Sequence, residues 1–259
     1  MNPQTDHADY LERKRFFSRM LTIYGRKPVL EALQDEQIPV FRLHLAQSNK
    51  SGGIMNQIQL LAERRKIEVV FHSKEALSRI SKNAKQDQGV AADLQCPNHC
   101  QLDDFLRSAP KSNYTLIALD GVTNPQNLGM IIRSVCASPA HGILLPEKGV
   151  ASISPLVIKA SAGTIFKSRI IRCPSLPKGL LSLKGNGATI CGLSSHSQQT
   201  LADFEQHCPT VYVLGNETHG VSPEVNKTCD YFIRIPMHNG VESLNVAITA
   251  ALLAFRTTL

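Results

Sequence analysis

Ile235-Pro236-Met237-His238-Asn239-Gly240-Val241-Glu242-Ser243-Leu244-Asn245 runs directly into Val246-Ala247-Ile248-Thr249-Ala250-Ala251-Leu252-Leu253-Ala254-Phe255. An apolar strand ends at a proline, the chain crosses a turn of small polar residues, and a strongly helical run begins. Ser243 stands where a helix N-cap is expected, and Leu244, Val246 and Ile248 open the buried face. The first N–H groups of a helix have no partner inside it, so a polar Ser-x-Asn pair at the mouth of an apolar helix can hold a ligand. Capping alone would account for Ser243 and Asn245. Two patches upstream shift the balance toward a site.

Working back from that unit, apolar strands are expected at 116–119, 142–145, 169–172, 189–193, 210–214 and 231–235. Helices are expected between most of them, at 128–136, 155–165, 176–183, 223–227 and 244–256. Near-continuous apolar strands alternating with helices predict an α/β domain with a parallel sheet covered on both faces. Such sheets bind ligands at the carboxyl ends of their strands, where the polar clusters of this chain fall. A smaller α/β unit precedes it, with helices at 27–34, 56–66 and 74–80 and strands at 40–46, 68–72 and 88–94. The expected division is a flexible basic tail over 1–20, a first domain over 21–96, a linker over 97–113 and a second domain over 114–259.

The 259 residues suffice for a full core, and the composition, 42% hydrophobic and 19% charged, is that of a soluble globular protein. A net charge of +7 favours a polyanionic partner, RNA among them. From Lys148 to Ala202 the chain carries Lys148, Lys159, Lys167, Arg169, Arg172, Lys178 and Lys184 and no acidic residue, a stretch able to follow phosphates. The seven cysteines form no C-x-x-C pair, which points to reduced thiols in the cytoplasm. Cys96-Pro97-Asn98-His99-Cys100 has no second ligand pair at zinc spacing, so no metal is expected. The polar start lacks the apolar core of a signal peptide, and no run is long enough to span a bilayer.

The first upstream patch follows strand 116–119 and reads Asp120-Gly121-Val122-Thr123-Asn124-Pro125-Gln126-Asn127-Leu128-Gly129-Met130-Ile131-Ile132-Arg133. Asn124-Pro125 breaks the chain, Asn127 is the expected helix cap, and Arg133 emerges in the second turn beside apolar neighbours. An arginine at a buried edge pairs with a carboxylate or a phosphate. The second patch follows strand 210–214, with Gly215 and Gly220 freeing a tight loop that holds Glu217. No dinucleotide, P-loop, zincin or esterase motif is present. His196 and His219 have no obvious partner set and read as structural.

Together these patches resemble the SpoU (TrmH) family of RNA ribose 2′-O-methyltransferases, within the SPOUT superfamily. The resemblance rests on Asn124-Pro-x-Asn127-x-Gly129-x-Ile131-x-Arg133, on Leu214-Gly215-Asn216-Glu217-x-x-Gly220, and on Ile235-Pro236-Met237 with Glu242-Ser243-Leu244-Asn245-Val246. Lys159-Ala160-Ser161-Ala162-Gly163 also looks like the family, and residues 24–94 are similar to the substrate-binding domain of its ribosomal-RNA members. Departures are Asn239 where many members have glycine, Pro139 near a usual glycine, and Ala247-Ile248-Thr249 in the last helix.

The resemblance implies a C-terminal segment threaded through a trefoil knot, an exception to the un-knotted rule, and a homodimer formed through the larger domain. It implies S-adenosylmethionine as cofactor, held near Leu214, Gly215, Asn216, Ile235, Met237 and Leu244. Arg133, Asn127, Glu217, Ser243 and Asn245 would serve the chemistry, and Arg26, Lys27, Lys159, Lys167 and Arg169 would meet RNA. The expected target is a ribose 2′-hydroxyl, of a guanosine in 23S rRNA. A guanidinium is effectively always charged, so Arg133 is expected as an electrostatic clamp on phosphate and hydroxyl rather than as a base. A tRNA substrate, or a non-catalytic RNA-binding or ribosome-assembly protein on the same fold, remain alternatives.

Overall fold

The computed structural model describes residues 16, 19–109, 114–205, 209–216 and 218–258. It divides between Pro97 and Asn98 into two compact units. Most of the expected tail, and Glu217, lie outside the described residues.

In the first unit the order is β1 (Met20–Tyr24), α1 (Arg26–Gln34), β2 (Val40–Ala46), α2 (Gly53–Arg64), β3 (Glu68–His72), α3 (Lys74–Ser81) and β4 (Val90–Gln95). The four strands order as β1-β4-β2-β3, with β2 and β3 parallel and the other pairs antiparallel. β1 was not expected, because Met20–Tyr24 buries only Ile23 and so lacks a clear alternation. Its neighbour β4 explains it: Thr22 donates a 2.6 Å hydrogen bond to Asp93 across the pair. His44 continues that row, with Nε2 3.0 Å from Asp93 Oδ2 and Nδ1 2.9 Å from His72 Nε2. Both ring nitrogens of this buried histidine are thereby paired, as burial demands.

The second unit holds β5 (Cys100–Gln101), α4 (Leu102–Ser108), β6 (Thr115–Leu119), α5 (Pro125–Ala137), β7 (Gly142–Pro146) and α6 (Pro155–Ala160). A 3-10 turn over Thr164–Phe166, β8 (Ile170–Cys173), α7 (Leu176–Gly185), β9 (Thr189–Leu193), β10 (Thr210–Leu214), α8 (Pro223–Asn226), β11 (Tyr231–Ile233) and α9 (Val246–Phe255) complete it. All seven strands are parallel, ordered β11-β9-β10-β6-β7-β8-β5. From β6 the chain steps outward through β7 and β8, then crosses over to lay β9, β10 and β11 on the other side. The order reverses beside β6, which makes the carboxyl ends of β6 and β10 the natural crevice.

Two expectations are corrected here. The stretch 97–113, read as a linker with a short helical piece around Leu102–Leu106, holds that helix as α4 and adds β5; Leu102 and Phe105 stand three apart on one helix face and join the core under β6 and β8. The helix expected at 155–165 ends at Ala160: Ala162 and Gly163 take left-handed backbone (φ 49° and 74°), which no α-helix continues through. Among the described residues no helix is long and apolar enough to cross a membrane.

His99 anchors the start of β5. It is 5% exposed and its Nε2 lies 3.3 Å from the Ile165 carbonyl. Burial lowers its pKa to about 4 from 6.5, against the opposing pull of that carbonyl. A histidine held neutral in the fold binds fewer protons than in the unfolded chain, so its contribution is present above about pH 6.5 and is lost as pH falls toward 4. Relative to His99→Gln, the wild type should lose on the order of 3 kcal/mol of stability across that window. Urea melts of both proteins at pH 7 and 4.5 check this; a pH-independent difference would contradict it.

Candidate functional site

The crevice is built from backbone contacts between loops far apart in sequence. After β6, Asp120 N–H donates to the Leu214 carbonyl at 2.8 Å, and its carboxylate accepts from Ser222 N–H at 2.7 Å. Asn216 Nδ2 donates to the Gly121 carbonyl at 2.9 Å. The loop after β10 folds back on itself through paired bonds between Asn216 and Gly220, both 2.9 Å. That closure leaves no space at Gly215: a Cβ there would lie 2.0 Å from the Gly220 carbonyl carbon. Gly220, at φ 67°, supplies the left-handed turn residue.

Under these loops lies a cavity of about 640 Å³. Six expected cofactor positions, Leu214, Gly215, Asn216, Ile235, Met237 and Leu244, all line it, as does Ser243. Thus the segments after β10 and β11 do converge, and the mouth of α9 forms one wall.

The cap assignments need correcting. Asn124, not Asn127, caps α5, accepting from Gln126 N–H at 2.8 Å, with Pro125 as first helical residue. Asn245, not Ser243, caps α9, accepting from Ala247 N–H at 2.8 Å. Asn127 is instead buried inside the first turn of α5, where its Oδ1 accepts from Asn245 Nδ2 at 3.1 Å. One asparagine both starts α9 and ties it to α5.

Arg133 does not line the cavity. With α5 starting at Pro125, it falls in the third turn, on the exposed stripe Gln126, Met130, Arg133 and Ala137. Arg26 and Lys27 open α1 of the first unit. Lys159 is exposed at the end of α6. Lys167 and Arg169 lie before β8, at the amino end of the sheet, opposite the cavity.

Some cavity residues were missed. His196 and His219, read as structural, line it, together with Ser194 and Arg234. Arg234 Nε is buried and has no hydrogen-bond partner among the described residues. Its sequence signal was visible, a lone charge between Ile233 and Ile235 at a strand end. Among the described residues no group of three His, Cys, Asp or Glu side chains could hold a metal.

The Asn245 geometry makes a stability prediction. Asn245→Ala removes both cap and tie and should cost about 1–2 kcal/mol. Asn245→Asp keeps the cap and loses the Nδ2 donor, so urea melts should place it between alanine and wild type.

Comparison with known proteins accords with this arrangement. Residues 114–255 match the model of the SpoU rRNA methylase family, and residues 22–99 match that of the RNA 2′-O ribose methyltransferase substrate-binding domain. An uncharacterized tRNA/rRNA methyltransferase of Mycobacterium sp. strain KMS is 31% identical over 230 residues, 88% of this chain and 73% of the relative. One of Mycobacterium avium strain 104 is 32% identical over 230 residues, 88% of this chain and 74% of its own. The fold is shared with the AdoMet-bound rRNA methyltransferase of Sinorhizobium meliloti (TM-score 0.62, 23% identity, 93% of this chain and 88% of that one). It is shared as well with the AdoMet complex of the SpoU methyltransferase AviRb from Streptomyces viridochromogenes (TM-score 0.61, 24% identity, 92% and 88%). The chain belongs to the SpoU rRNA methylase family.

Proposed function

We propose that this protein transfers a methyl group from S-adenosylmethionine to the ribose 2′-hydroxyl of a guanosine in 23S rRNA, working in the cytoplasm as a homodimer. The observation that carries the reading is the single cavity on which the loop after β10, the segment after β11 and the mouth of α9 converge. The residues present fit the cofactor. A volume of about 640 Å³ is in the range of small-molecule sites. Leu214, Ile235 and Leu244 offer apolar walls, and the orphaned Nε of Arg234 suits a carboxylate such as the one on the methionine end. Bound there, the cofactor supplies an already activated methyl group on a sulfonium.

The work left to this chain is positioning. The 2′-oxygen must approach in line, and the accompanying proton leaves to water. Ser243, exposed at the cavity wall, is placed to orient the hydroxyl. Asn127 and Asn245 hold that wall in register through their mutual bond. Arg133 engages a backbone phosphate and the hydroxyl together, stabilising the negative charge that develops on oxygen. Glu217 keeps the role that the family motif implies, holding the loop geometry.

Arg133 reaches reacting RNA through the dimer. α9 reads Val-Ala-Ile-Thr-Ala-Ala-Leu-Leu-Ala-Phe, apolar on all sides, and a helix of that kind is covered on all sides. Ile248 on α9 and Met130 on α5 are nevertheless 53% and 41% exposed, and the two helices pack together. A second copy over this face would bury both and bring Arg133 to the seam. The reading also carries a trefoil knot through the last segment, supported by the crossing that sets β10 between β9 and β6.

Arg133→Ala should leave cofactor binding within about twofold by calorimetry while reducing methyl incorporation by at least about 10²-fold. Arg133→Lys should fare nearly as badly, since an ammonium cannot bridge two oxygens in a fixed fork. Labelled methyl incorporation into purified rRNA and tRNA, followed by mapping of the modified nucleotide, tests the substrate; incorporation into tRNA alone, or absence of cofactor binding, would overturn the reading.

A further inference from the structure

A second cleft, of about 310 Å³, opens at the amino ends of β7 and β8, lined by Asn98, Cys136, His141, Lys167, Ser168 and Arg169 among others. The cavity already described lies at the carboxyl ends, so a strand length of roughly 17 Å separates the two.

The cleft has fixed walls. Lys167 carbonyl accepts from Asn98 Nδ2 at 2.8 Å, and Arg169 carbonyl accepts from Ile143 N–H at 3.0 Å. Ser168 between them is buried and donates to the Thr164 carbonyl at 2.9 Å. β7 begins so close that a Cβ on Gly142 would lie 2.7 Å from the Arg169 carbonyl oxygen. Lys167 closes the 3-10 turn (φ −102°, ψ −21°) and Arg169 directly precedes β8; both are exposed and both line the cleft.

The chemistry of the cleft is one-sided. The Thr115 N–H lies 3.3 Å from His141 Nδ1. A backbone N–H can only donate, so Nδ1 is the bare nitrogen and Nε2 carries the ring proton. Beside that donor stand an ammonium and a guanidinium. Neither takes part in an ion pair among the described residues, and no described residue lining the cleft is acidic. Burial and the nearby Arg169 keep His141 below the usual histidine range, so it serves as a neutral donor at pH 7.

We infer that this cleft is an oxyanion site, distinct from the site of methyl transfer, that takes a backbone phosphate of the substrate RNA. The choice of RNA as the source of the phosphate rests on the proposed function; the basic, acid-free lining does not. The RNA footprint then extends beyond the modified nucleotide to the amino edge of the sheet, where Lys167 and Arg169 stand.

The test uses the full chain and a fluorescently labelled fragment of rRNA. Lys167→Ala/Arg169→Ala should weaken binding at least about tenfold by anisotropy and reduce the slope of log affinity against log salt by about 1.4, two contacts at ~0.7 each. Lys178→Ala/Lys184→Ala, which removes the same charge from α7, should weaken it far less, and Lys167→Arg/Arg169→Lys should bind as wild type. Cofactor titration should be unchanged in all of them. Equal effects of the two alanine pairs, unaltered affinity and slope in the first pair, or no RNA binding by the wild type would overturn the site. A wild type that binds RNA through Lys167 and Arg169 yet methylates none would sink the proposed function and leave this inference standing.

Discussion

At position 215 there is no room for a single methyl group, and the site depends on that fact. The loop after β10 turns back until the carbonyl carbon of Gly220 stands 2.0 Å from where a Cβ of residue 215 would be. Only that tightness lets Asn216 pair twice with Gly220 and still reach the Gly121 carbonyl, and lets Ser222 reach Asp120. The loop after β10 is thereby welded to the loop after β6 at the switch in strand order. What remains open beneath them is the cavity. A larger residue at 215 would push apart the two limbs of the loop after β10 and displace Asn216 and Ser222 from the loop after β6, so a glycine here is a requirement of the site more than of the sheet.

The sheet itself was legible because its strands are buried on both faces. Runs such as Thr-Val-Tyr-Val-Leu at 210–214 need no partner information to be read, since every residue is apolar or fully covered. The caps were not legible in the same way. Ser243 and Asn127 each have a residue type suited to capping, and both lost to a neighbour, Asn245 and Asn124, whose position satisfied the N–H two residues on. What Asn127 does instead depends on a partner 118 residues away, which no local pattern reports. β1 and β5 were missed for the same reason: short edge strands are specified by the strand they pair with. Arg234 and the cavity histidines were visible as residues but silent as a site, because only the fold gathers β9, β10 and β11 at one edge.

The basic residues show what a parallel sheet does to a sequence-level patch. Lys159, Lys167 and Arg169 are close in sequence and suggest one surface. In a parallel sheet, however, each strand starts at one edge and ends at the other, and the residues before β8 face away from those after β10 and β11. In the second unit Arg234 thus stands at the edge with the cavity, and Lys167 and Arg169 at the edge with the cleft.

The same reasoning disposes of the departure at Asn239. The turn between β11 and α9 requires left-handed backbone at two successive positions, φ 57° at Asn239 and 73° at Gly240. Glycine adopts it freely, and asparagine is among the few side chains that visit it routinely. The turn that delivers Glu242, Ser243 and Leu244 to the cavity wall is therefore kept, at a cost well below that of any β-branched residue. What the position selects for is a backbone angle, and two residue types supply it.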